Sequence, residues 1–412
     1  MNLQRILGLQ KLKFIPLFLL YVVIIAIGAR DTFWHDEIRY VNFATNLSHG
    51  YYSPPGEINL KNGPGYPIIL APFALLSIPW KFARILNALF LWLALGYFFR
   101  TLKYYIPNRA AFIATTLFGL YPPFLRYLPL LITEILTVFL VCGFAYHFAT
   151  AFREKAKSRF HWLVAAIYLT YLALTKVFFG YVIASLVFVF LILYLFAKSK
   201  QYRLSLSAYS LALLLCTPYL AYTFTLTGHF FYWGSVGGMS LYWMSSPYDG
   251  DLGDWHSADK VKKVPELSRH HGQFFRSLEA LTQPEKDNAF KRQALHNIVS
   301  RPAKFVKNWI ANLGRLFFNY PYSYTPQKLD TYVYFLPNAV LMVLLALSLY
   351  PGWRARRKIP DEILSMLLFA FIGLAGLSLL SAYARFLLPF IPILVLWLCY
   401  AGFNLVKIEV LA

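Results

Sequence analysis

Two adjacent carboxylates, Asp36 and Glu37, lie in the loop that follows the first apolar run of this 412-residue sequence. If Asp36 opens a helix, Arg39 and Tyr40 fall on the same face, three and four residues later. One carboxylate can then take a proton from a hydroxyl nucleophile while the other orients a partner. The structural alternative is that Asp36 caps the helix and Glu37 interacts with its dipole, together worth about 1 kcal/mol.

Two further candidates, Glu134 and Arg385, lie near the ends of long apolar runs. An ionisable group inside such a run is costly and usually faces a cavity or a partner, so Glu134 joins the predicted catalytic set. Pairing with Arg126 is the structural alternative for Glu134. The planar guanidinium of Arg385 suits a phosphate group. Its alternative is a surface role among lipid headgroups.

Several other side chains are predicted to contact substrate because they lie on or near the same half of the apolar runs. Each cation among them can instead reach toward the membrane surface, where long basic side chains are common. The predicted binding set, besides Arg385, consists of Lys81, Arg84, Arg126, Tyr66 and Lys61. Lys176 is a further cation of this kind.

No metal ligand is assigned from the sequence. Asp249, Asp251 and Asp254 resemble a calcium loop without its later bidentate glutamate, so we predict a solvated acidic turn instead. The histidines of the same region have no Cys or His partner at zinc-site spacing and are interpreted as loop residues. They are His256, His270 and His271.

Composition indicates a membrane protein with many spans. The chain is 58% hydrophobic and 14% charged, whereas about 25% is usual for soluble domains. Its formal charge of +21 comes largely from short basic clusters between apolar runs, which are typical of cytoplasmic loops. No basic domain or stacking motif supports nucleic-acid binding. The three cysteines fall inside apolar runs and are interpreted as small hydrophobic residues.

About ten spans are predicted, with both chain ends in the cytoplasm and an uncleaved first helix rather than a signal peptide. Pro67–Pro79 is short and suits an interfacial or re-entrant helix. Arg301–Tyr320 alternates basic and apolar faces, as does a helix on a membrane surface. The predicted spans are 13–30, 80–99, 110–125, 131–151, 160–176, 178–197, 204–226, 331–351, 361–381 and 386–405.

This pattern predicts an all-α polytopic membrane protein in three parts. Residues 1–226 form an N-terminal transmembrane module whose first outer loop, 31–79, carries the catalytic candidates. Residues 227–330 form a modest extracytoplasmic region with a small folded lobe and an interfacial helix. Residues 331–412 form the C-terminal transmembrane helices. The absence of a nucleotide-binding glycine loop argues against an ATP-driven pump or a soluble nucleotide-sugar transferase.

Four motifs in this order resemble the GT-C glycosyltransferases, in particular the branch of protein O-mannosyltransferases and the lipid A aminoarabinose transferase. They are W-H-D-E-I-R-Y at 34–40, N-G-P-G-Y-P-I-I-L-A-P-F at 62–73, L-I-T-E-I-L at 131–136 and A-R-F-L-L-P-F-I-P at 384–392. The sequence departs from the branch at 61–65, where K-N-G-P-G replaces the Lys-Pro-Pro of the aminoarabinose transferase. It also lacks the W-W-D tripeptide and the large outer domain of oligosaccharyltransferases.

The resemblance implies a GT-C fold with a cavity at the outer face, a polyprenyl-phosphate sugar donor and inversion at the anomeric carbon. It implies Asp36 as general base, Glu134 as the second acidic residue and Arg385 facing the donor phosphate. The acceptor would be a hydroxyl of a lipid, glycan or protein. No cofactor is assigned, although a divalent cation such as Mg or Mn between Asp36 and the phosphate stays open. The location would be a bacterial inner membrane.

Two other functions stay open at this point. A transporter or flippase of lipid-linked glycans would use Glu134 and the cations as a path, but the inverted repeats typical of transporters are not apparent. A glycan polymerase or ligase with a similar layout of spans would use a diphosphate-linked donor.

Overall fold

The computed structural model describes residues 13–30, 32–154, 158–324, 326 and 329–406. Every regular element in these ranges is helical, as predicted. The first half comprises α1 Ile15–Gly28, α2 His35–Ser48, α3 Gly65–Leu75, α4 Trp80–Leu102, α5 Asn108–Gly119, α6 Pro122–Tyr127, α7 Glu134–Arg153, α8 Ser158–Thr175, α9 Phe178–Ala197, α10 Lys200–Leu215 and α11 Thr217–Thr227.

The second half begins with a lobe of short helices and returns to long apolar helices. It comprises α12 Gly237–Met244, α13 Ala258–Lys263, α14 Pro265–Ser277, α15 Gln283–Ser300, α16 Pro302–Phe318, α17 Tyr332–Arg354, α18 Asp361–Ser378 and α19 Ile391–Asn404, the last preceded by a 3₁₀ turn at Ala384–Phe390.

Six helices of the described chain are long and apolar enough to cross a membrane, and the bent pair α10–α11, with a 45° angle between its halves, makes up to seven. The six helices and the bent pair correspond to seven of the ten predicted spans. The other three predicted spans correspond to α1, α5 and α8, which do not meet that criterion in the described residues. The membrane character is therefore confirmed, whereas the count of ten stays a prediction.

Helix α7 is the centre of the bundle. Its side chains are buried nearly all round, including Glu134 at its first turn, and a helix that is apolar on every face belongs in a protein interior or a membrane. It packs against α4, α8, α18, α19 and the 3₁₀ turn. The turn that carries Arg385 is thus held next to the N-terminal end of α7.

Helix α16 connects the lobe to the bundle and is amphipathic, as predicted. Its polar stripe of Lys304, Asn308, Asn312 and Arg315 is buried, and its apolar residues on the opposite side are exposed. This is the reverse of a helix in a water-soluble protein. The polar side chains bind backbone groups of the lobe and of the segment 378–382, whereas the position of α16 on a membrane surface stays a prediction.

The lobe formed by α12–α15 has its own hydrophobic core, in which Tyr242 and Trp243 pack against Leu267 and Phe290. The predicted solvated acidic turn is wrong for two of its three residues. Asp249 is exposed, but Asp251 and Asp254 are 2% and 3% exposed. Their hydrogen-bond partners come from residues up to 73 positions away, which local spacing does not reveal.

Candidate active site

Helix α2 presents Asp36 and Glu37 in different directions. Trp34 precedes the helix in an extended conformation, and its N–H donates to Glu37 Oε2 at 2.8 Å, so Glu37 caps the helix. The structural alternative for Asp36 as the cap is therefore wrong. Asp36 lies in the first turn, and its carboxylate pairs with side chains outside the cap.

Glu37 is buried and holds α2 against the rest of the bundle. Its Oε1 accepts from the Leu131 N–H at 2.8 Å and lies 2.9 Å from Arg84 Nη1. Arg84 also donates to the backbone oxygens of Pro129 and Arg30. Both side chains therefore join α2 and α4 to the turn before α7. The catalytic role of Glu37 and the substrate-binding role of Arg84 stay predictions.

Asp36 forms ion pairs with two arginines. Arg39 Nη2 lies 2.6 Å from its Oδ1, as the spacing of three predicts, and Arg385 Nη2 lies 2.5 Å from its Oδ2. Asp36 and Arg385 are 349 positions apart in the sequence. The structure therefore brings together the two residues that the sequence analysis singled out for proton transfer and for phosphate binding.

Glu134 completes this cluster. Its Oε1 lies 3.1 Å from Lys176 Nζ and 3.6 Å from Arg385 Nε, so it pairs with these two cations. The alternative pairing with Arg126 stays a prediction. Its Oε2 is buried without a hydrogen-bond partner in the described structure. Lys176, which the sequence offers only as a further cation, begins the short polar turn, Lys176 to Gly180, between two apolar runs.

Two tyrosines line the same region. Tyr40 is buried, and its hydroxyl accepts from Asn62 Nδ2 at 3.0 Å. Burial raises the pKa of its phenol, and the negative charges of Glu134 and Asp36 raise it further, so the phenol stays protonated. Tyr66, a predicted substrate contact, is also buried, with its ring edge-on to Tyr40 at 5.3 Å between centroids.

Lys61 lies beside the cluster and is half-buried. Burial lowers the pKa of its ammonium, and repulsion from Arg39 and Lys286 lowers it further, whereas Glu57 opposes the shift. The loop that carries Lys61 is pressed against the end of α8, because a Cβ on Gly65 would lie 2.5 Å from Thr175 Oγ1. Arg39, Lys61 and Lys176 therefore come from neighbouring segments.

Lys81 and Arg126 are both exposed and have other contacts. The Lys81 ammonium lies 5.5 Å from the ring of Phe82, and the Arg126 guanidinium lies 5.8 Å from the ring of Tyr334. The roles predicted for these two cations stay predictions.

The charge of the cluster favours an anionic ligand. Arg39, Lys176 and Arg385 surround Asp36 and Glu134, which leaves one positive charge in excess before Lys61 is counted. In a medium of low dielectric constant, such an excess attracts an anion strongly. Both Asp36 oxygens pair with arginines, and the divalent cation considered between Asp36 and the donor phosphate stays a prediction.

A cavity of about 430 Å³ lies at the opposite end of α18 from this cluster. Its lining includes Asp361 and Phe371, in the first eleven residues of α18, and residues of α9 and α10. The segment after the other end of α18, beyond Ser378, leads to Arg385. This cavity is thus not the predicted substrate cavity beside Asp36.

No protein-family model matches the chain, and no curated protein matches it. Its fold is similar to that of the archaeal oligosaccharyltransferase AglB from Archaeoglobus fulgidus. The complex of AglB with an inhibitory peptide and a dolichol-phosphate has a TM-score of 0.51 at 13% identity, covering 96% of this chain and 50% of that one. An oligosaccharyltransferase from Archaeoglobus fulgidus in the apo form has a TM-score of 0.52 at 12% identity, covering 94% of this chain and 50% of that one.

A further similar structure is ArnT from Cupriavidus metallidurans bound to undecaprenyl phosphate, with a TM-score of 0.42 at 13% identity, covering 94% of this chain and 77% of that one. The chain spans about half the length of the oligosaccharyltransferase structures that it matches. The similarity to the two oligosaccharyltransferase structures confirms the expected all-α membrane fold of the GT-C type.

Proposed function

We propose that this chain is an inverting glycosyltransferase that moves a monosaccharide from a polyprenyl-phosphate carrier to a hydroxyl acceptor. The contact of 2.5 Å between Asp36 Oδ2 and Arg385 Nη2 carries the proposal, because it joins a candidate base to a phosphate-binding group inside a membrane protein. The fold supports it, since the similar AglB structure is a transferase in complex with a dolichol-phosphate and a peptide.

Binding of the donor phosphate would rearrange the ion pairs. In the described structure, Arg39 and Arg385 neutralise Asp36, which makes the carboxylate a weak base. A phosphate group that binds both guanidinium groups takes over part of their charge and hydrogen bonds. Asp36 is then released to accept a proton. Binding of the donor thus converts Asp36 into an effective general base.

The chemical step follows from this arrangement. Asp36 accepts the proton of the acceptor hydroxyl as the oxygen attacks the anomeric carbon of the sugar. The bond from that carbon to the phosphate oxygen breaks on the opposite face, and its electron pair leaves with the polyprenyl phosphate. Arg385, Arg39, Lys61 and Lys176 stabilise the phosphate charge as it develops. One displacement inverts the anomeric configuration.

Glu134 would orient these cations and contact the sugar. Its Oε1 is placed between Lys176 and Arg385, while its buried Oε2 has an unused acceptor site. A sugar hydroxyl that donates to Oε2 would satisfy it. We place the site at the outer face of a bacterial inner membrane, because this orientation puts the basic turns between the apolar helices in the cytoplasm.

The test uses Asp36→Asn in the purified full chain, with a panel of polyprenyl-phosphate-linked monosaccharides and release of polyprenyl phosphate as the readout. Loss of the base should slow release by roughly 10²–10⁴-fold. Asp249→Asn, which alters an exposed aspartate of the lobe, is the matched control and should retain the wild-type rate. Near-normal turnover of folded Asp36→Asn would remove Asp36 from the mechanism.

A second candidate is a ligase that uses a diphosphate-linked oligosaccharide, and the similarity to the oligosaccharyltransferase structures favours it. Competition between monophosphate- and diphosphate-linked donors separates the two functions. Stronger inhibition by polyprenyl monophosphate supports the first function, whereas stronger inhibition by the diphosphate supports the second. Movement of lipid-linked glycan across liposome membranes without transfer would instead indicate a flippase.

A further inference from the structure

A polar cluster inside the lobe, far from Asp36 in the sequence, collects an aspartate and two adjacent histidines. Asp251 is fully buried in the loop after α12, and His270 and His271 lie on α14. One ring nitrogen of each histidine and one oxygen of Asp251 lie within 4.8 Å of one another. His271 Nε2 is 2.8 Å from Asp251 Oδ2.

Asp251 and His271 are held in place by further hydrogen bonds. Asp251 accepts from the hydroxyls of Ser246 and Tyr324, and His271 Nδ1 is 2.7 Å from the hydroxyl of Tyr242. These hydrogen bonds fix the positions of the Asp251 carboxyl and the His271 ring within the lobe.

Hydrogen bonding within the lobe accounts for Asp251 and His271 but leaves His270 unexplained. Its Nδ1 is buried and has no hydrogen-bond partner in the described structure. The ring is nonetheless fixed, because it stacks on Tyr248 with 4.2 Å between centroids and an angle of 7°. A buried polar atom without a partner is unfavourable, and one common reason for it is a missing ion.

We propose that Asp251, His270 and His271 form a binding site for a divalent transition-metal ion, of which zinc is the best fit. Imidazole and carboxylate are ligands that zinc prefers, and two histidines with one carboxylate are a known zinc donor set. The hydroxyls of Tyr242, Ser246 and Tyr324 would be the outer partners that orient metal ligands.

The surrounding charges allow a cation at this point. Lys304 is the buried cation of the cluster, but its ammonium donates to the backbone oxygen of Asp251 and to Asn308 Oδ1 rather than to the Asp251 carboxylate. Burial lowers the pKa of Lys304, while the charge of Asp251 opposes that shift. A metal there would tie α14 to the loop after α12 and so fix the lobe.

Zinc binding to the purified full chain tests the site directly. The protein is treated with a chelator, dialysed and titrated with zinc chloride by calorimetry. His270→Ala is the main variant, because Nδ1 of His270 is a buried atom that has no hydrogen-bond partner in the described structure. His296→Ala, on α15, is the matched control. We expect the control to match wild type and His270→Ala to lose at least about 100-fold in zinc affinity.

Two more measurements distinguish this site from others. Asp36→Asn should retain the binding, which excludes the cluster around Asp36 as its source. Zinc should raise the thermal unfolding temperature of wild type but not that of His270→Ala, because a ligand of the native state stabilises it. The proposal is overturned if wild type binds no zinc at micromolar concentration, or if His270→Ala binds as tightly as wild type.

Discussion

Asp36 and Glu37 are neighbours in the sequence but have different partners in the structure. Glu37 is sealed in the interior with Arg84, whereas Asp36 faces Arg39 and Arg385. Adjacent residues on a helix point about 100° apart, so one turn of α2 supplies both a brace and a candidate base. The role of each carboxylate therefore depends on its ion-pair partner and not on its position in the sequence.

The pair of Glu37 and Arg84 should behave as one unit in stability measurements. Glu37→Gln leaves the Arg84 guanidinium buried without its counter-charge, which should lower the free energy of unfolding by about 3–5 kcal/mol. The double variant Glu37→Gln with Arg84→Met should cost less than the sum of the two single variants. Thermal unfolding in detergent, followed by intrinsic fluorescence, measures both.

The matched control for that pair is Glu279→Gln, which breaks an exposed ion pair with Lys262. Such surface pairs contribute about 0–1 kcal/mol. Additive effects of the Glu37 and Arg84 substitutions would contradict the coupling between them.

Lys61 should give the reaction an alkaline limit. Its pKa is lowered by burial and by Arg39 and Lys286, so it loses its proton at a lower pH than an ordinary lysine. The attraction for the donor phosphate, and with it kcat/KM, should fall as the pH rises through this lowered value. Lys61→Arg, which stays protonated, should move the limit to higher pH. An unchanged pH profile in Lys61→Arg would exclude Lys61 from donor binding.

Helix α16 acts at the scale of elements, because it positions the segment that leads to Arg385. The side chain of Asn312 donates to the backbone oxygens of Ser378 and Leu380 and accepts from the N–H of Ala382. Three backbone groups of one segment are thus satisfied by a single side chain. The buried polar stripe of α16 is therefore a support for the site as well as a connection to the lobe.

Asn312→Leu should loosen this support. Each backbone group left buried without a partner costs about 1–3 kcal/mol, so we expect a clear fall in the unfolding temperature. Transfer should slow as well, because the segment before Arg385 loses its clamp. Ile310→Leu, on the exposed side of α16, is the control and should stay within about 0.5 kcal/mol of wild type. Wild-type stability of Asn312→Leu would show that the segment is held by other contacts.

Some features of the site can be predicted from the sequence, whereas others depend on contacts that only the structure shows. The motif N-G-P-G at 62–65 was visible, but its role was not: Gly63 and Gly65 allow the loop to pack against the backbone at the end of α8. Asp36, Glu134 and Arg385 could be grouped through the resemblance to a known fold. The pairing of Lys176 with Glu134 and the buried state of Asp251 could not be predicted, because both depend on contacts between distant segments.

At the scale of the whole molecule, the lobe and the basic turn at 354–358 lie at opposite ends of α18. This helix has 18 residues, about 27 Å in length, which is close to the thickness of the hydrocarbon layer. If the basic turn lies in the cytoplasm, as proposed from the charge pattern of the sequence, the lobe and the cluster around Asp36 face the other side.

Labelling from one side of the membrane tests this orientation. Asp249→Cys places a thiol on the exposed part of the lobe, and Arg357→Cys places one in the basic turn. A membrane-impermeant maleimide should label the first variant in intact cells and the second only after permeabilisation. The unsubstituted chain, whose three cysteines are buried or half-buried, is the control. The reverse labelling pattern would place the candidate site in the cytoplasm.

The ion pair between Asp36 and Arg385 also has a consequence for biosynthesis. One partner follows the first apolar helix and the other precedes the last, so a ribosome must make most of the polypeptide before the two can meet. A nascent chain arrested before α19 should insert into the membrane yet remain inert. Coexpression of two fragments divided within the lobe should restore turnover if their helices reassemble.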